Sequence, residues 1–218
     1  ADVRLVTVRL AEQLRRMRAA KRAPESVRHR VAMETRLIFA PLANRLGIWH
    51  LKWELEDLAF RFLDYATYRD IAAALRERRQ ERERRVSAVI DYLQRELESV
   101  GIDAEVQGRS KHIYSIWRKM QRKRVGLEEI FDISAVRVLV DSIKDCYTVL
   151  GIVHARWPYV PGEFDDYIAN PKGNFYRSLH TAVIGPGDQP LEIQIRTEQM
   201  HQFAENGIAG AAAIAKPP

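Results

Sequence analysis

The chain has 218 residues, 46% hydrophobic and 29% charged, with a net charge of +6 and one cysteine, Cys146. This is enough apolar residue for one or two ordinary cores, and it excludes an internal disulfide and any apolar run long enough to span a bilayer. The basic surplus suits anionic partners such as nucleotides or RNA; the missing basic-then-apolar leader and the lone thiol give the expectation of a cytoplasmic protein without a signal peptide.

Residues 1 to about 100 read as helical. Val3, Val6, Leu10, Leu14 and Met17 recur at helical spacing. A basic, proline-bearing break follows at Lys21–Pro24. A second helix is predicted from Ser26 to Leu46, stopped by Gly47 and kinked or split by Pro41. An apolar and acidic stretch covers Trp49–Leu63, and a long charged helix is predicted from Thr67 to Val100, ending at Gly101. Its run of Arg and Glu over residues 76–85 is a solvated helix face with mixed pairs, Glu81 and Arg85 among them, rather than an RNA-binding segment.

After Gly101 the pattern changes. Short β-type runs appear at 104–106, 135–140, 179–184 and 191–195, with helical patterns at 111–123 and 143–153. The cluster Gly185-Pro186-Gly187-Asp188 predicts a hairpin between the last two strands. The fold class expected is α+β: a mixed β-sheet flanked by helices, preceded by an all-helical region. No repeat or low-complexity linker is visible.

Four segments carry residues suited to chemistry. In Gly108–Met120, Ile113, Ile116, Trp117 and Met120 form one apolar helix stripe, while Lys111, Ser115, Lys119 and Arg122 lie along another. Cations, a hydroxyl and a helix N-terminus together suit a polyphosphate; a plain surface helix with a basic face has the same spacing. In Phe131–Arg137, Asp132 precedes a buried strand that Arg137 interrupts; a guanidinium can stack on a purine, while a strand-start Asp with a structural ion pair accounts for the segment taken alone. In Leu191–Thr197, strict alternation puts Glu192, Gln194 and Arg196 on one face, as a solvated sheet face also would. Asp132 and Glu192 could hold Mg²⁺, which prefers oxygen ligands. The fourth segment is read as a loop: Pro161–Tyr167, with Glu163, Asp165 and Asp166, then Pro171–Thr181, with Lys172, Asn174, Tyr176 and His180.

Together these segments resemble the synthetase domain of the Rel/Spo family of (p)ppGpp synthetases, from about Ala104 to Gly207. Upstream, Phe39-Ala40-Pro41-Leu42-Ala43, Asn44–Gly47 and Lys52–Leu58 also resemble that family. The resemblance implies a nucleotidyltransferase-like sheet at 102–210, a helical linker or core region at 23–101, a remnant of a degenerate hydrolase-type domain at 1–22 and a tail at 211–218. It further implies transfer of pyrophosphate from ATP to the 3′-hydroxyl of GDP or GTP, with AMP released. By the same resemblance Arg109 and Arg137 would sandwich adenine. Lys111, Ser115, Lys119 and Arg122 would hold the ATP phosphates, and Asp132 and Glu192 would bind Mg²⁺. Glu192 would also take the acceptor proton. Tyr176 would stack on guanine, and Lys172, Asn174, His180 and Gln194 would position the acceptor. Glu163, Asp165 and Asp166 match the acidic form of a motif that goes with GDP preference.

The chain departs from the family at Phe175, where Gly is usual, at Arg177, where Gln is common, and in its tail, Gly207–Ala213. The hydrolase pattern Ala-Asp-Arg-Leu-His-Asn becomes Ala11-Glu12-Gln13-Leu14-Arg15-Arg16, so no ppGpp hydrolysis is expected. Ribosome and uncharged-tRNA contacts belong, by the resemblance, to C-terminal regions outside this sequence, and no membrane partner is expected. A catalytically silent ribosome- or RNA-binding module of the same fold, or another nucleotidyltransferase, are the alternatives; Asp132 and Glu192 argue against the first.

Overall fold

The computed structural model describes residues 3–77, 79–127, 130 and 134–214. In chain order the elements are α1 (Val3–Ala19), a 3₁₀ turn (Ala20–Arg22), α2 (Glu25–Glu34), a π turn (Thr35–Phe39), α3 (Ala40–Arg45), α4 (Trp49–Leu63), α5 (Tyr65–Glu77) and α6 (Arg79–Ser99). Then follow β1 (Ala104–Ser110), α7 (Ile113–Lys123), β2 (Ser134–Val140), α8 (Ile143–Arg156), β3 (Tyr159–Asp166), β4 (Leu179–Gly185), β5 (Gln189–Thr197) and α9 (Glu198–Ile214). Among the described residues no helix is long and apolar enough to cross a membrane.

The chain divides into two compact units. The first comprises Ala1–Ala74, His112–Arg118 and Gln202–Pro218. Its core gathers Leu10, Leu14 and Met17 of α1 with Val31 and Ala32 of α2 and Leu51, Leu55 and Leu58 of α4. The split at Pro41 takes the form of the π turn, followed by α3 with Pro41 inside its first turn, where a missing N–H costs least. Gly47, at φ 71°, ends α3, and the Ile48 amide donates to the Ala43 carbonyl at 3.0 Å. The start of α7 packs on α4 through aromatic rings: Phe60 lies 4.8 Å from Trp117 and Trp53 5.4 Å from His112, centroid to centroid. Asp57 of α4 accepts a hydrogen bond from the Tyr114 amide at 2.8 Å, satisfying one of the unpaired donors at that helix start.

The second unit comprises Leu75–Lys111 and Lys119–His201 and holds a five-stranded sheet in the order β1-β2-β5-β4-β3. β2 and β5 are parallel and the other pairs antiparallel, so the sheet is mixed as expected. Strand alternation gives it two unlike faces. Val106, Val136, Val138, Val140, Leu179, Val183, Leu191, Ile193 and Ile195 point to one face, where Val89, Leu93 and Leu97 of α6 and Cys146, Val149 and Val153 of α8 cover them. Ser142 caps α8 by accepting from the Asp145 amide at 3.1 Å. The predicted hairpin joins β4 and β5, with Gly187 at φ 74° and Asp188 at φ 55° in its turn.

One expectation is corrected. Residues 159–166 form an edge strand, not a loop. Pro161 and Gly162, at φ 79°, fall where the register shifts between Tyr159 and Phe164, and an edge strand with a bulge tolerates both residues. Beyond β5, Glu198–Ile214 form α9, whose start is fixed by the Thr197 hydroxyl accepting from the Met200 amide at 3.2 Å.

Candidate active site

The polar face of the sheet brings the sequence-predicted residues together. Cross-strand partners share a face, so one row reads Arg109, Ala135, Glu192, Ala182 across β1, β2, β5 and β4. The adjacent row reads Gln107, Arg137, Gln194, His180, Asp165 and reaches β3. Five residues assigned from separate motifs (Arg109, Arg137, His180, Glu192 and Gln194) therefore occupy two neighbouring rows.

Glu192 is the hub. The Lys111 ammonium lies 2.5 Å from one carboxylate oxygen, the two side chains being 15% and 12% exposed. The Gln194 amide donates to the other oxygen at 2.8 Å, and His180 Nδ1 lies 3.4 Å from it. Burial alone pushes the Glu192 carboxyl up. The His180 hydrogen bond and the Lys111 charge outweigh burial and hold the carboxyl well below the usual range.

Beside this hub stands the loop between β3 and β4. The Tyr176 hydroxyl and His180 Nε2 are 2.8 Å apart, which extends the polar chain from Glu192. Tyr176 is only 7% exposed. It meets Tyr167 and His180 edge-on, and Lys172 and Arg196 lie 5.5 and 6.0 Å from its centroid. Lys172 sits closer to Tyr167, at 4.1 Å. Burial first, then a hydrogen bond to Asp165, pushes the Tyr167 hydroxyl up to about 12. Asn174 Oδ1 accepts weakly from the Tyr176 amide at 3.4 Å. Arg177 donates to the Ile168 carbonyl at 3.4 Å, bracing the loop. Phe175 adopts φ 61°, a left-handed conformation that costs a side-chain-bearing residue about 1–2 kcal/mol, and it is 64% exposed.

The acids of the motif make different contacts. Glu163 pairs with Lys123 at 2.5 Å and with Lys119 at 3.4 Å. Burial raises its pKa, but the Lys123 hydrogen bond and the two ammonium charges win and lower it. Asp166 turns elsewhere: it accepts from the Tyr147 hydroxyl of α8 at 2.9 Å and from the amides of Ile168 and Ala169 at 2.9 and 2.8 Å. These bonds brace the turn that follows β3. Ser115 lies on α7 one turn before Lys119, and Arg122 is exposed on the same helix. Asp132 lies outside the described residues.

Sequence reasoning missed three residues. Lys123, one helical turn beyond Lys119, shares Glu163. Asp57 fixes the start of α7 and was visible only as part of an acidic helix. Arg196 was placed on the right face but given no role; it is 1% exposed, next to His201 Nδ1 and the Tyr176 ring.

The face can gather polyphosphate through cations on β1 and α7 and present a carboxylate to them. Among the described residues no group of three or more His, Cys, Asp or Glu side chains forms a metal cage. Mg²⁺ does not need one, since it is commonly held by one or two carboxylates plus substrate phosphates. Glu192, an oxygen donor already turned toward a cation, fits that demand.

The hydrolase-like segment is engaged structurally. Glu12 pairs with Arg9 at the surface, Gln13 donates to the Thr35 hydroxyl at 2.9 Å, and Arg16 pairs with Glu34 at 3.0 Å.

Comparison with known proteins agrees with this geometry. The family model described as a region found in RelA / SpoT proteins matches residues 108–214, and an HD-domain model matches residues 1–49. A GTP pyrophosphokinase of Escherichia coli is 52% identical over 208 residues, covering 95% of this chain and 28% of that protein. A Synechocystis protein named as a probable guanosine-3′,5′-bis(diphosphate) 3′-pyrophosphohydrolase is 49% identical over 209 residues, again 95% of this chain and 28% of that protein. The chain thus spans little more than a quarter of the length of these curated relatives. Among solved structures, a GTP pyrophosphokinase family protein from Streptococcus pneumoniae is 30% identical, with a TM-score of 0.50, over 60% of this chain and 73% of that one. With that coverage, and with the matched region holding Glu192 and strands β2 to β5, the chain belongs to the RelA/SpoT family.

Proposed function

We propose that this chain transfers the β,γ-pyrophosphate of ATP to the 3′-hydroxyl of GDP or GTP, releasing AMP. The observation that carries the reading is the Lys111–Glu192 contact on a sheet face shared with Arg109 and Arg137. Arg109 and Arg137 flank adenine, and Lys111, Ser115, Lys119 and Arg122 receive the phosphates. Glu192 accepts the 3′-hydroxyl proton as the oxygen attacks the β-phosphorus; the bond from that phosphorus to the AMP oxygen breaks. Lys172, Asn174, His180 and Gln194 position the acceptor, with Tyr176 supporting the loop.

A carboxylate held far below its usual pKa is a weak base. When ATP arrives, Lys111 turns from Glu192 to the phosphates, and the carboxylate regains basicity as the donor is bound. Mg²⁺, held by Glu192 with Asp132, would supply charge neutralisation of the phosphates and acidify the hydroxyl. The Glu163–Lys119 and Glu163–Lys123 pairs support the acidic motif as a charge partner of the phosphate helix, and GDP is the expected preferred acceptor.

The test is incubation with ATP, Mg²⁺ and GDP or GTP, followed by nucleotide separation. AMP and a 3′-pyrophosphorylated guanosine nucleotide should form, faster with GDP. Glu192→Gln should lower turnover by several orders of magnitude while ATP still binds; near-normal turnover would remove Glu192 from the role of base. Release of inorganic pyrophosphate from ATP instead of AMP would favour a different nucleotidyltransferase. Incubation of ppGpp with Mn²⁺ should yield no pyrophosphate, consistent with the engaged side chains at Glu12, Gln13 and Arg16.

A further inference from the structure

The two carboxylate oxygens of Glu192 are held in different ways. Oε2 faces the Lys111 ammonium at 2.5 Å, whereas Oε1 accepts from the Gln194 amide at 2.8 Å and faces His180 Nδ1 at 3.4 Å. A lysine swings on a flexible stem and can follow an arriving phosphate. Gln194 and His180 cannot, because they are cross-strand partners fixed in the register of β5 and β4. Oε1 is therefore the tethered oxygen, and Oε2 is the one set free when the donor draws Lys111 away.

The His180 tether works in only one neutral form of the ring. Lysine nitrogen and amide nitrogen only donate, so both carboxylate oxygens act as acceptors. Nδ1 can join them only by carrying the ring proton, which leaves Nε2 bare. Nε2 lies 2.8 Å from the hydroxyl of the buried Tyr176. A phenol that donates to Nε2 keeps the proton on Nδ1, since the bond at one ring nitrogen decides the state of the other. The edge-on packing of Tyr176 against Tyr167 and His180 needs no hydroxyl, and a phenyl ring would pack as well.

We infer that the Tyr176 hydroxyl positions Glu192 through His180: it fixes the Nδ1–H form of the ring, His180 and Gln194 then hold Oε1, and Oε2 is the oxygen that receives the acceptor proton. This deepens the pyrophosphate-transfer reading and rests on it for the last step. That step keeps its balance: the 3′ O–H proton passes to Oε2 as the oxygen bonds to the β-phosphorus and AMP leaves. Tyr176 is in this respect a positioning residue, because its hydroxyl acts on Glu192 only through the imidazole.

The test combines steady-state kinetics with ATP and GDP and side-chain nitrogen NMR of substrate-free protein labelled at histidine. The variants are Tyr176→Phe, His180→Gln and the two together, and the signal missing from His180→Gln identifies His180. In wild type that ring should show a protonated Nδ1 and a bare Nε2. Tyr176→Phe keeps the aromatic ring, so KM for GDP should hold. The His180 signal should move toward the Nε2–H form, and kcat should fall roughly ten- to a hundredfold, the usual cost of losing a group that orients a working carboxylate from behind. Glutamine at position 180 has an amide donor and no tautomers, so adding Tyr176→Phe to His180→Gln should lower kcat no further. Wild-type kcat in Tyr176→Phe overturns the inference, as does a fall in kcat while His180 keeps its proton on Nδ1. An equal loss in the His180→Gln background overturns it too, because the hydroxyl would then act elsewhere. Wild type that makes no AMP from ATP and GDP removes the pyrophosphate-transfer reading, whereas the His180 tautomer, read without substrates, still decides the link from Tyr176 to Glu192.

Discussion

Glu192 shows how one side chain can be both stabilised and held in reserve. Burying a carboxylate is unfavourable, and here Lys111, His180 and Gln194 offset it. Removing one partner of such a buried pair leaves the other uncompensated, which typically costs about 3 kcal/mol. Lys111→Met should therefore lower stability by about that amount at pH 7. The sign with pH follows from the lowered pKa of Glu192. In wild type its contribution is present above the ordinary carboxylate value, near about 4.3, and is lost as pH falls through the folded value. In Lys111→Met the cost exists only while Glu192 is charged, and burial then favours its neutral form, so the gap from wild type should narrow as acid protonates Glu192 in the variant before it does so in wild type. Urea unfolding at pH 7 and at acid pH measures both; a gap that does not change with pH would mean the ammonium stabilises by packing alone.

At the level of elements, α7 depends on a group outside itself. Asp57 caps its first turn, and burial pushes the Asp57 carboxyl up to about 6 against the pull of the Tyr114 and Ile113 amides. A carboxyl whose folded pKa is raised stabilises when protonated, so this contribution is fully present below about 4 and is lost as pH rises through about 6. Asp57→Asn keeps an acceptor oxygen but cannot titrate. Wild type should thus gain stability relative to Asp57→Asn as pH falls from about 7 to about 4, by up to about 3 kcal/mol. Parallel thermal melts would detect it, and two parallel curves would remove Asp57 from the account. The same helix shows what the sequence could and could not reveal. Its apolar and basic stripes were legible because both follow helical period, and so was the row of Glu192 and Gln194, because strand alternation fixes a face. β3 was not legible: Pro161, Gly162 and the acids of its outer positions mimic a loop, and only its place at the sheet edge makes them tolerable. Lys123 and Asp57 were hidden because their partners, Glu163 and the Tyr114 amide, lie 40 and 57 residues away in sequence.

Across the molecule the division of labour lies in the two faces of the sheet. One is apolar and fixed by α6 and α8, and the other is polar and carries Arg109, Arg137, Glu192 and Gln194. Composition could not reveal this, since the same residues spread over a loop would give the same totals; alternation and strand order create it. Precision on the polar face thus depends on packing on the apolar one, and Gly108 links them. It adjoins Arg109 on β1, and a Cβ added there would lie 3.0 Å from Val86 Cγ1 and 3.6 Å from Ile90 Cδ1 of α6. Replacing glycine with alanine restricts the unfolded chain and by itself stabilises by about 0.4–1 kcal/mol. Forcing a methyl into a packed contact costs about 1–3 kcal/mol, so overpacking wins. Gly108→Ala should lower stability by about 1 kcal/mol and, by shifting β1 away from α6, move Arg109 and raise the ATP dissociation constant several-fold with GDP binding little changed. Truncating the opposing side chain is the decisive control. If Val86→Ala in the same chain restores both ATP affinity and melting temperature, the effect passed through the apolar face. If ATP affinity stays low after the contact is relieved, Arg109 is not positioned by that packing.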